Sequence, residues 1–321
     1  MPNAILRNVL SALPLVLGTI TIAATPTTAN ADDAQSEYRF VVVPKVVHPW
    51  FDQLNEGAQE AAREIQRLTG AEVTVQYTAP QSASVAEQNQ ILERAIATRP
   101  DAIITDLLDP TGNRAVVREA LDQEIPVSVI DDKGIEDMHL PVVGSDYCTQ
   151  AKVAAERLVE LLDQKGNVAI MMGVPTASNH AQRAECSRAV FDRYPGIEVV
   201  ATGVDNDSIS TAQNQAAAIM QAHPDLDGWV PSNAAGPIGI GQAVKEAGKV
   251  GQVKIVGIDD LNQTLSLIQE GVIDSTSALR PRMMGYWFII SAWQRANGAD
   301  VPEYIDTGHV FIDQNNVEDY L

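Results

Sequence analysis

From residue 38 onward the apolar positions switch between two periods. Tyr38-Arg39-Phe40-Val41-Val42-Val43-Pro44 is a near-continuous apolar run, the pattern of a strand buried on both faces. Trp50 to Thr69 changes to helical spacing, with Phe51, Leu54, Ala58, Ala61, Ala62, Ile65 and Leu68 on one side. Gly70 ends that helix at the position that favours a left-handed backbone. The alternation continues: strand Glu72–Tyr77, helix Ala83–Ala97, strand Ala102–Thr105, helix Asn113–Gln123 and strand Pro126–Ile130. Strands and helices in strict succession predict βαβ units, hence a parallel sheet covered by helices.

A second series begins after Pro141-Val142-Val143-Gly144. Its helices are read at Thr149–Asp163, Asn179–Arg193, Ile209–Ala222 and Ala235–Ala247. Its strands are read at Asn167–Met172, Glu198–Thr202, Gly228–Val230 and Lys254–Ile258. Both series end in an apolar strand running into Ile-Asp-Asp, at residues 130–132 and 258–260. The fold class is therefore α/β, with two Rossmann-like lobes. The remaining stretch, Val272 to Leu321, is too short for a third domain and must return to the existing lobes. Trp287, Phe288 and Trp293, at helical spacing within it, read as core.

The first 31 residues follow a different rule. One basic residue, Arg7, precedes an uncharged stretch centred on Val9 to Gly18, which closes on Ala29-Asn30-Ala31 before Asp32 and Asp33. These are the three regions of a secretory signal peptide. The mature protein is expected to be exported to the periplasm. Cys148 and Cys186 are the only cysteines, and an oxidising compartment allows them to pair; two free thiols is the alternative. The chain of 321 residues carries 22 Lys+Arg against 42 Asp+Glu, a formal charge of −20. Such a chain repels a phosphate backbone and anionic headgroups, which argues against nucleic-acid and membrane-surface partners.

In open parallel sheets, ligands sit outside the carboxyl ends of the strands. The residues there are Lys45, Asp131-Asp132, Pro175 to His180, Asn206-Asp207, Ser232-Asn233 and Asp259-Asp260. Asp and Asn are suited to neighbouring hydroxyls, and capping of the following helix is the alternative for each. Asp131 and Asp259, each ending a buried apolar strand, are the expected charged anchors. His48, Trp50 and Phe51 stand at the mouth of the first helix, where an aromatic pair can stack on the C–H face of a sugar ring. For Trp50 the alternative is a core contact. No G-x-S-x-G, H-E-x-x-H or P-loop occurs, and Gly236, Gly239 and Gly241 are misplaced for a dinucleotide loop. Neither catalysis nor a cofactor or metal is expected.

Phe40 to Lys45, Pro49-Trp50-Phe51, Gly57-Ala58, Ile130-Asp131, Gly144-Ser145-Asp146, Val256 to Asp259 and Asp306-Thr307-Gly308 carry a resemblance. Over residues 38–321 the chain resembles a type I periplasmic solute-binding protein of ABC importers, in the ribose, rhamnose and autoinducer-2 branch. The resemblance implies two lobes joined by three crossovers, near Ser145, Leu279–Arg280 and Asp306–Thr307. Residues 32–145 and 280–306 would then form one lobe, and residues 146–279 and 307–321 the other. It also implies that Trp50 and Phe51 pack a sugar ring. Lys45, Asp131, Arg183, Asn233 and Asp259 match polar ligand positions, with Lys45 and Arg183 the expected counter-charges of the two aspartates. Asp132, Asn179, His180 and Leu279 mark departures from the branch, so the expected ligand is a small sugar or polyol of unassigned identity. A monomer that delivers its ligand to an inner-membrane permease is expected. A sensory subunit for a membrane histidine kinase and a receptor for a small cationic solute are the alternatives.

Overall fold

The computed structural model describes residues 35–131 and 134–321; the leader read at residues 1–31, and Asp132, lie outside the described residues. Strands β1 (Glu37–Val43), β2 (Glu72–Tyr77), β3 (Ala102–Thr105), β4 (Val127–Ile130) and β5 (Val142–Gly144) alternate with helices α1 (Pro49–Thr69), α2 (Val85–Ala97) and α3 (Arg114–Asp122). The second series runs α4 (Tyr147–Leu161), β6 (Gly166–Met172), α5 (Ser178–Phe191), β7 (Ile197–Val204), α6 (Ile209–Ala222), β8 (Leu226–Pro231), α7 (Ala235–Glu246), β9 (Lys254–Ile258), α8 (Asn262–Gln269) and β10 (Ser275–Ala278). Helix α9 (Pro281–Ala296), β11 (Tyr304–Asp306), β12 (Val310–Asp313) and a 3₁₀ turn at Val317–Tyr320 complete the chain.

These strands form two six-stranded sheets, in the orders β11-β5-β4-β3-β1-β2 and β12-β10-β9-β8-β6-β7. Every pairing between these strands is parallel except β10 with β12. The chain thus passes between sheets three times: from β5 into α4, from β10 into α9, and from β11 to β12. Three strand crossings at one edge leave the rest of the interface between the lobes lined by strand ends.

Helices α1 and α9 meet backbone to backbone. A Cβ at Gly57 would lie 1.8 Å from the Arg282 carbonyl oxygen, and one at Gly285 would lie 1.9 Å from that of Leu54. Only hydrogen fits at either position, so α9 is locked onto the first sheet's helix. The same logic explains the glycine-rich run in α7. A Cβ at Gly239 would meet Ala212 Cβ at 2.5 Å and the Ile209 carbonyl oxygen at 2.6 Å, so this glycine serves helix packing against α6.

One reading of the carboxyl-terminal region is corrected, and one strand is added. Trp287 is 39% exposed rather than core, because α9 is apolar nearly all round and buries only one side; Phe288 is buried. β10 escapes a hydrophobic-pattern reading because its sequence, Ser-Thr-Ser-Ala, is polar although all four residues are buried. Thr276 solves this locally, its Oγ1 donating to the Asp259 carbonyl at 2.7 Å. Cys148 of α4 and Cys186 of α5 form a disulfide.

Replacing Gly285 by Ala would stabilise an exposed helix by ~1 kcal/mol. Here it should instead destabilise by roughly 1–3 kcal/mol or more, because the colliding atoms are backbone. A lowered urea midpoint with unchanged slope is the expected result, and a raised midpoint would contradict the packing. Opening the disulfide frees a loop of sequence separation 38. The double Cys→Ser variant should lose about 4 kcal/mol in the chain-entropy account, measured by the same titration.

Candidate functional site

The carboxyl ends of both sheets face each other, and the candidate residues stand along them. β1 runs into Lys45, which is buried, and β3 into Asp106; the ammonium lies 3.0 Å from Asp106 Oδ2. Gln88 of α2 holds these two strand ends together, its amide donating to the carbonyls of Pro44 at 3.2 Å and Asp106 at 2.7 Å. His48 caps α1, with Nδ1 accepting from the Trp50 N–H at 3.2 Å. Trp50 and Phe51 follow, packed edge to face with centroids 5.1 Å apart and both buried.

Asp131, Asp207 and Asp259 follow β4, β7 and β9 in left-handed backbone conformations, with φ of 41°, 62° and 65°. A non-glycine residue held there carries a conformational cost and persists only where the surroundings over-determine it. At Asp131 the backbone N–H is tied to the Val143 carbonyl at 3.2 Å, and at Asp259 to that of Ser277 at 3.0 Å. Neither Asp caps a helix: α8 is preceded by Leu261 at its cap position, and no helix starts at Asp131. The capping alternative is therefore overturned for both.

A polar network joins the two strand-end edges. Asn179 of α5 accepts from Lys45 Nζ at 3.4 Å and donates to Asp131 Oδ2 at 2.9 Å. Arg183, one turn further, reaches the same Oδ2 at 3.1 Å, with side-chain exposures of 2% for Arg183 and 4% for Asp131. Its Nε donates to Gln150 Oε1 at 2.7 Å, and Gln150 Nε2 donates to Asp259 Oδ1 at 3.2 Å. The guanidinium also lies 5.1 Å from the centroid of the Tyr147 ring. Asn233 donates to Asp205 at 2.8 Å and to Asp207 at 2.9 Å.

Of the two expected counter-charges, Arg183 is found on Asp131 and Lys45 is corrected. Arg183 pairs with Asp131 across the cleft, whereas Lys45 pairs with Asp106. Asp259 makes no ion pair among the described residues and is held by Gln150 and by the Leu279 N–H at 3.3 Å. Asn206 is also corrected. It is exposed at the tip of a tight turn, closed by the Asp207 N–H donating to Asp205 Oδ1 at 2.8 Å, which turns Asp205 and Asp207 inward instead. Asp106, Gln150 and Asp205 were missed. Asp106 and Asp205 sit at strand ends and follow the same edge rule; nothing in the sequence around Gln150 marks it.

Lys45, His48, Trp50, Phe51, Asp106, Asp131, His180, Arg183, Asp207, Ala234 and Asp259 enclose a cavity of about 20 Å³. That is room for roughly one water, so anything larger enters only if the edges separate. On the rim, Leu108, Val174 and Ala177 form an apolar contact, and Thr176 Oγ1 donates to the Leu108 carbonyl at 3.1 Å. Three buried polar atoms on the lining residues have no hydrogen-bond partner among the described residues: His48 Nε2, Trp50 Nε1 and Asp131 Oδ1. Buried polar groups are nearly always paired, and two donors and an acceptor left open in one cavity are what a hydroxylated ligand would use.

Burial, with the Lys45 charge, pushes His180 far below the ordinary histidine range, so its ring is neutral. Its Nδ1 accepts from the Val174 N–H at 2.9 Å, which leaves the proton on Nε2. Burial works against the Lys45 ammonium, but Asp106, Asp207 and Asp131 outweigh it and hold the pKa above the usual lysine value. Burial also opposes ionisation of Asp207, yet the His180 and His48 rings, Lys45 and the Asn233 bond hold it at about 2. Asp205, buried beside Asp207, is pushed up to about 8.

Asp205 therefore keeps a proton in the folded chain between pH about 4 and about 8 that the unfolded chain has released. Stability must fall as pH rises through that window, by up to about 1.4 kcal/mol per pH unit. Asp260, raised to about 7 by burial and Asp259, acts in the same direction. Asp207 acts oppositely only below about pH 4, and His180, held neutral in the folded chain, acts oppositely below about pH 6.5, where the two raised aspartates outweigh it. Melting temperatures should rise from pH 8 to pH 5, and Asp205→Asn should flatten that slope; an equal slope in the variant would refute the assignment.

Residues 39–300 match the family described as the periplasmic binding protein domain. The D-apiose import binding protein of Actinobacillus succinogenes is 25% identical over 285 residues, covering 88% of this chain and 86% of that protein. An ABC transporter solute binding protein from Agrobacterium vitis, solved with α-D-tagatopyranose, superposes with a TM-score of 0.82 at 27% identity, over 88% of this chain and 96% of that one. One from Burkholderia graminis, solved with D-arabinose, superposes with a TM-score of 0.83 at 27% identity, over 90% and 99%.

Proposed function

The chain belongs to the periplasmic binding protein domain family, and from that premise we propose that it is the exported receptor of an ABC importer. Its ligand is a small sugar or polyol, bound between the lobes and handed as cargo to a membrane permease by a monomeric protein. The observation that carries this reading is the cavity between the strand-end edges, where an aromatic pair stands beside polar atoms without a partner among the described residues. The relatives named above are binding proteins whose names or bound molecules are sugars, which supports a receptor over an enzyme.

In this reading Trp50 and Phe51 pack the ring. Lys45, His48, Asp131, Asn179, Arg183, Asn233 and Asp259 supply its hydrogen bonds, with Asp106 and Asp207 added to the set. Residues 32–145 with 280–306 and residues 146–279 with 307–321 move as two bodies. The membership of β11 in one sheet and β12 in the other supports this division, as does the packing of α9 on α1. The crossings near Ser145, Leu279–Arg280 and Asp306–Thr307 then absorb the motion.

A thermal-shift screen of pentoses, hexoses, deoxyhexoses and polyols tests the reading. A binder at 100 times its Kd should add ~2.7 kcal/mol of stability, visible as a raised melting temperature. Asp131→Asn should weaken that binder by ~1.5–3 kcal/mol in titration calorimetry, the range for hydrogen bonds to a charged group. Small-angle scattering should show a smaller radius of gyration at saturation. A library without any hit, or equal affinity in Asp131→Asn, would overturn the proposal.

A further inference from the structure

The cavity is unevenly charged. Four aspartates line it, Asp106, Asp131, Asp207 and Asp259, with two cations, Lys45 and Arg183. Each cation already has an aspartate within ion-pair distance: Lys45 has Asp106 at 3.0 Å, and Arg183 has Asp131 at 3.1 Å. Among the described residues the other two make no ion pair and are held by neutral donors. Asn233 Nδ2 serves Asp207 at 2.9 Å; Gln150 Nε2 and the Leu279 N–H serve Asp259 at 3.2 and 3.3 Å. His180 does not redress the balance: its Nδ1 accepts from the Val174 N–H, and burial holds its ring neutral. His48 Nδ1 accepts from the Trp50 N–H, and its Nε2 has no hydrogen-bond partner among the described residues.

Asp207 and Asp259 thus bring negative charge to the cleft without an ion pair of their own, and gathering like charge in a partly desolvated site is costly. Asp259 has one way out, because burial pushes its carboxyl above the ordinary range and favours the protonated form. Asp207 does not, since it is held ionised at about 2. A ligand bearing a positive charge would supply the missing partner through charge-assisted hydrogen bonds, which are roughly twice as strong as neutral ones. The open atoms His48 Nε2, Trp50 Nε1 and Asp131 Oδ1 ask at the same time for hydroxyls.

We propose that the ligand of this cleft is a hydroxylated molecule carrying an ammonium group, an amino sugar or aminopolyol, and that Asp207 receives the ammonium. This rests on the receptor reading above and narrows its ligand class. Among cavity-lining positions, Asp207 becomes the one that discriminates an amine from the hydroxyl it replaces.

The test compares matched pairs by thermal shift and titration calorimetry at pH 7. The amines are D-glucosamine, D-galactosamine, D-mannosamine and 1-amino-1-deoxy-D-sorbitol, each beside its hydroxyl parent. At least one amine should bind roughly ten- to hundredfold more tightly than its parent, and Asp207→Asn should collapse that ratio toward one. Parents binding as tightly as the amines would overturn the proposal and leave the receptor reading intact. Silence from both series, with the wider sugar library also silent, would overturn both. A preference that persists in Asp207→Asn would overturn the role of Asp207, while the wild-type ratio decides the ligand class even if that variant fails to fold.

Discussion

Arg183 reaches across from α5 to Asp131 at the end of β4, and the rest of the site is arranged around that buried pair. Taking both charges out of water is expensive, and their attraction repays it only when the remaining hydrogen-bonding capacity is filled. Here Gln150 takes the Arg183 Nε, Asn179 adds a second donor to Asp131, and the Tyr147 ring lies against the guanidinium. The pair links the two sheets, so its two partners cannot meet unless the lobes do. Its net contribution is a small difference between large opposing terms, which suits an equilibrium that a modest ligand must be able to tip.

The aspartates along the two edges share a second constraint. Asp131 and Asp259 stand in left-handed backbone conformations immediately beyond parallel strands. That conformation ends the strand abruptly and turns the carboxylate across the sheet edge rather than along it. Strain of this kind is stored where side-chain placement matters more than local stability. It is balanced by neighbouring strands: Val143 of β5 and Ser277 of β10 each accept the backbone N–H of the strained residue. The polar strand β10 makes sense in this light, since its hydroxyl and carbonyl groups brace the Asp259 turn from below.

Rigidity and motion are divided between different parts of the molecule. The glycine contacts of α1 and α9 and the disulfide between α4 and α5 act within a lobe, and each leaves little freedom there. Contacts between lobes are of mixed kind: the polar network, the apolar contact of Leu108 with Val174 and Ala177, the apolar cluster that joins Ala234, Ile238 and Leu261 to the residues around Trp50 and Phe51, and the three strand crossings. Stiff bodies joined by a few crossings are what a hinge requires.

The sequence by itself determined the alternating elements, the two similar lobes and the strand-end rule that brought Lys45, Asp131, Asn179, His180, Asn233 and Asp259 to one region; Arg183 came only from the family resemblance. Those properties are local: a period of two or 3.6, a buried parallel strand, and an edge where such strands stop. Only the tertiary structure decided which cation meets which acid. It set Lys45 on Asp106 and Arg183 on Asp131, left Asp207 and Asp259 to neutral donors, and turned Asn206 out while drawing Asp207 in. It also put Gln150, from the middle of a helix, between Arg183 and Asp259. The physical reason is range. Periodicity is written in neighbouring residues, whereas an ion pair depends on the distance between groups 52 positions apart in the chain, as Asp131 and Arg183 are. That distance is fixed by how two separately folded sheets face each other, and no spacing in the sequence encodes it.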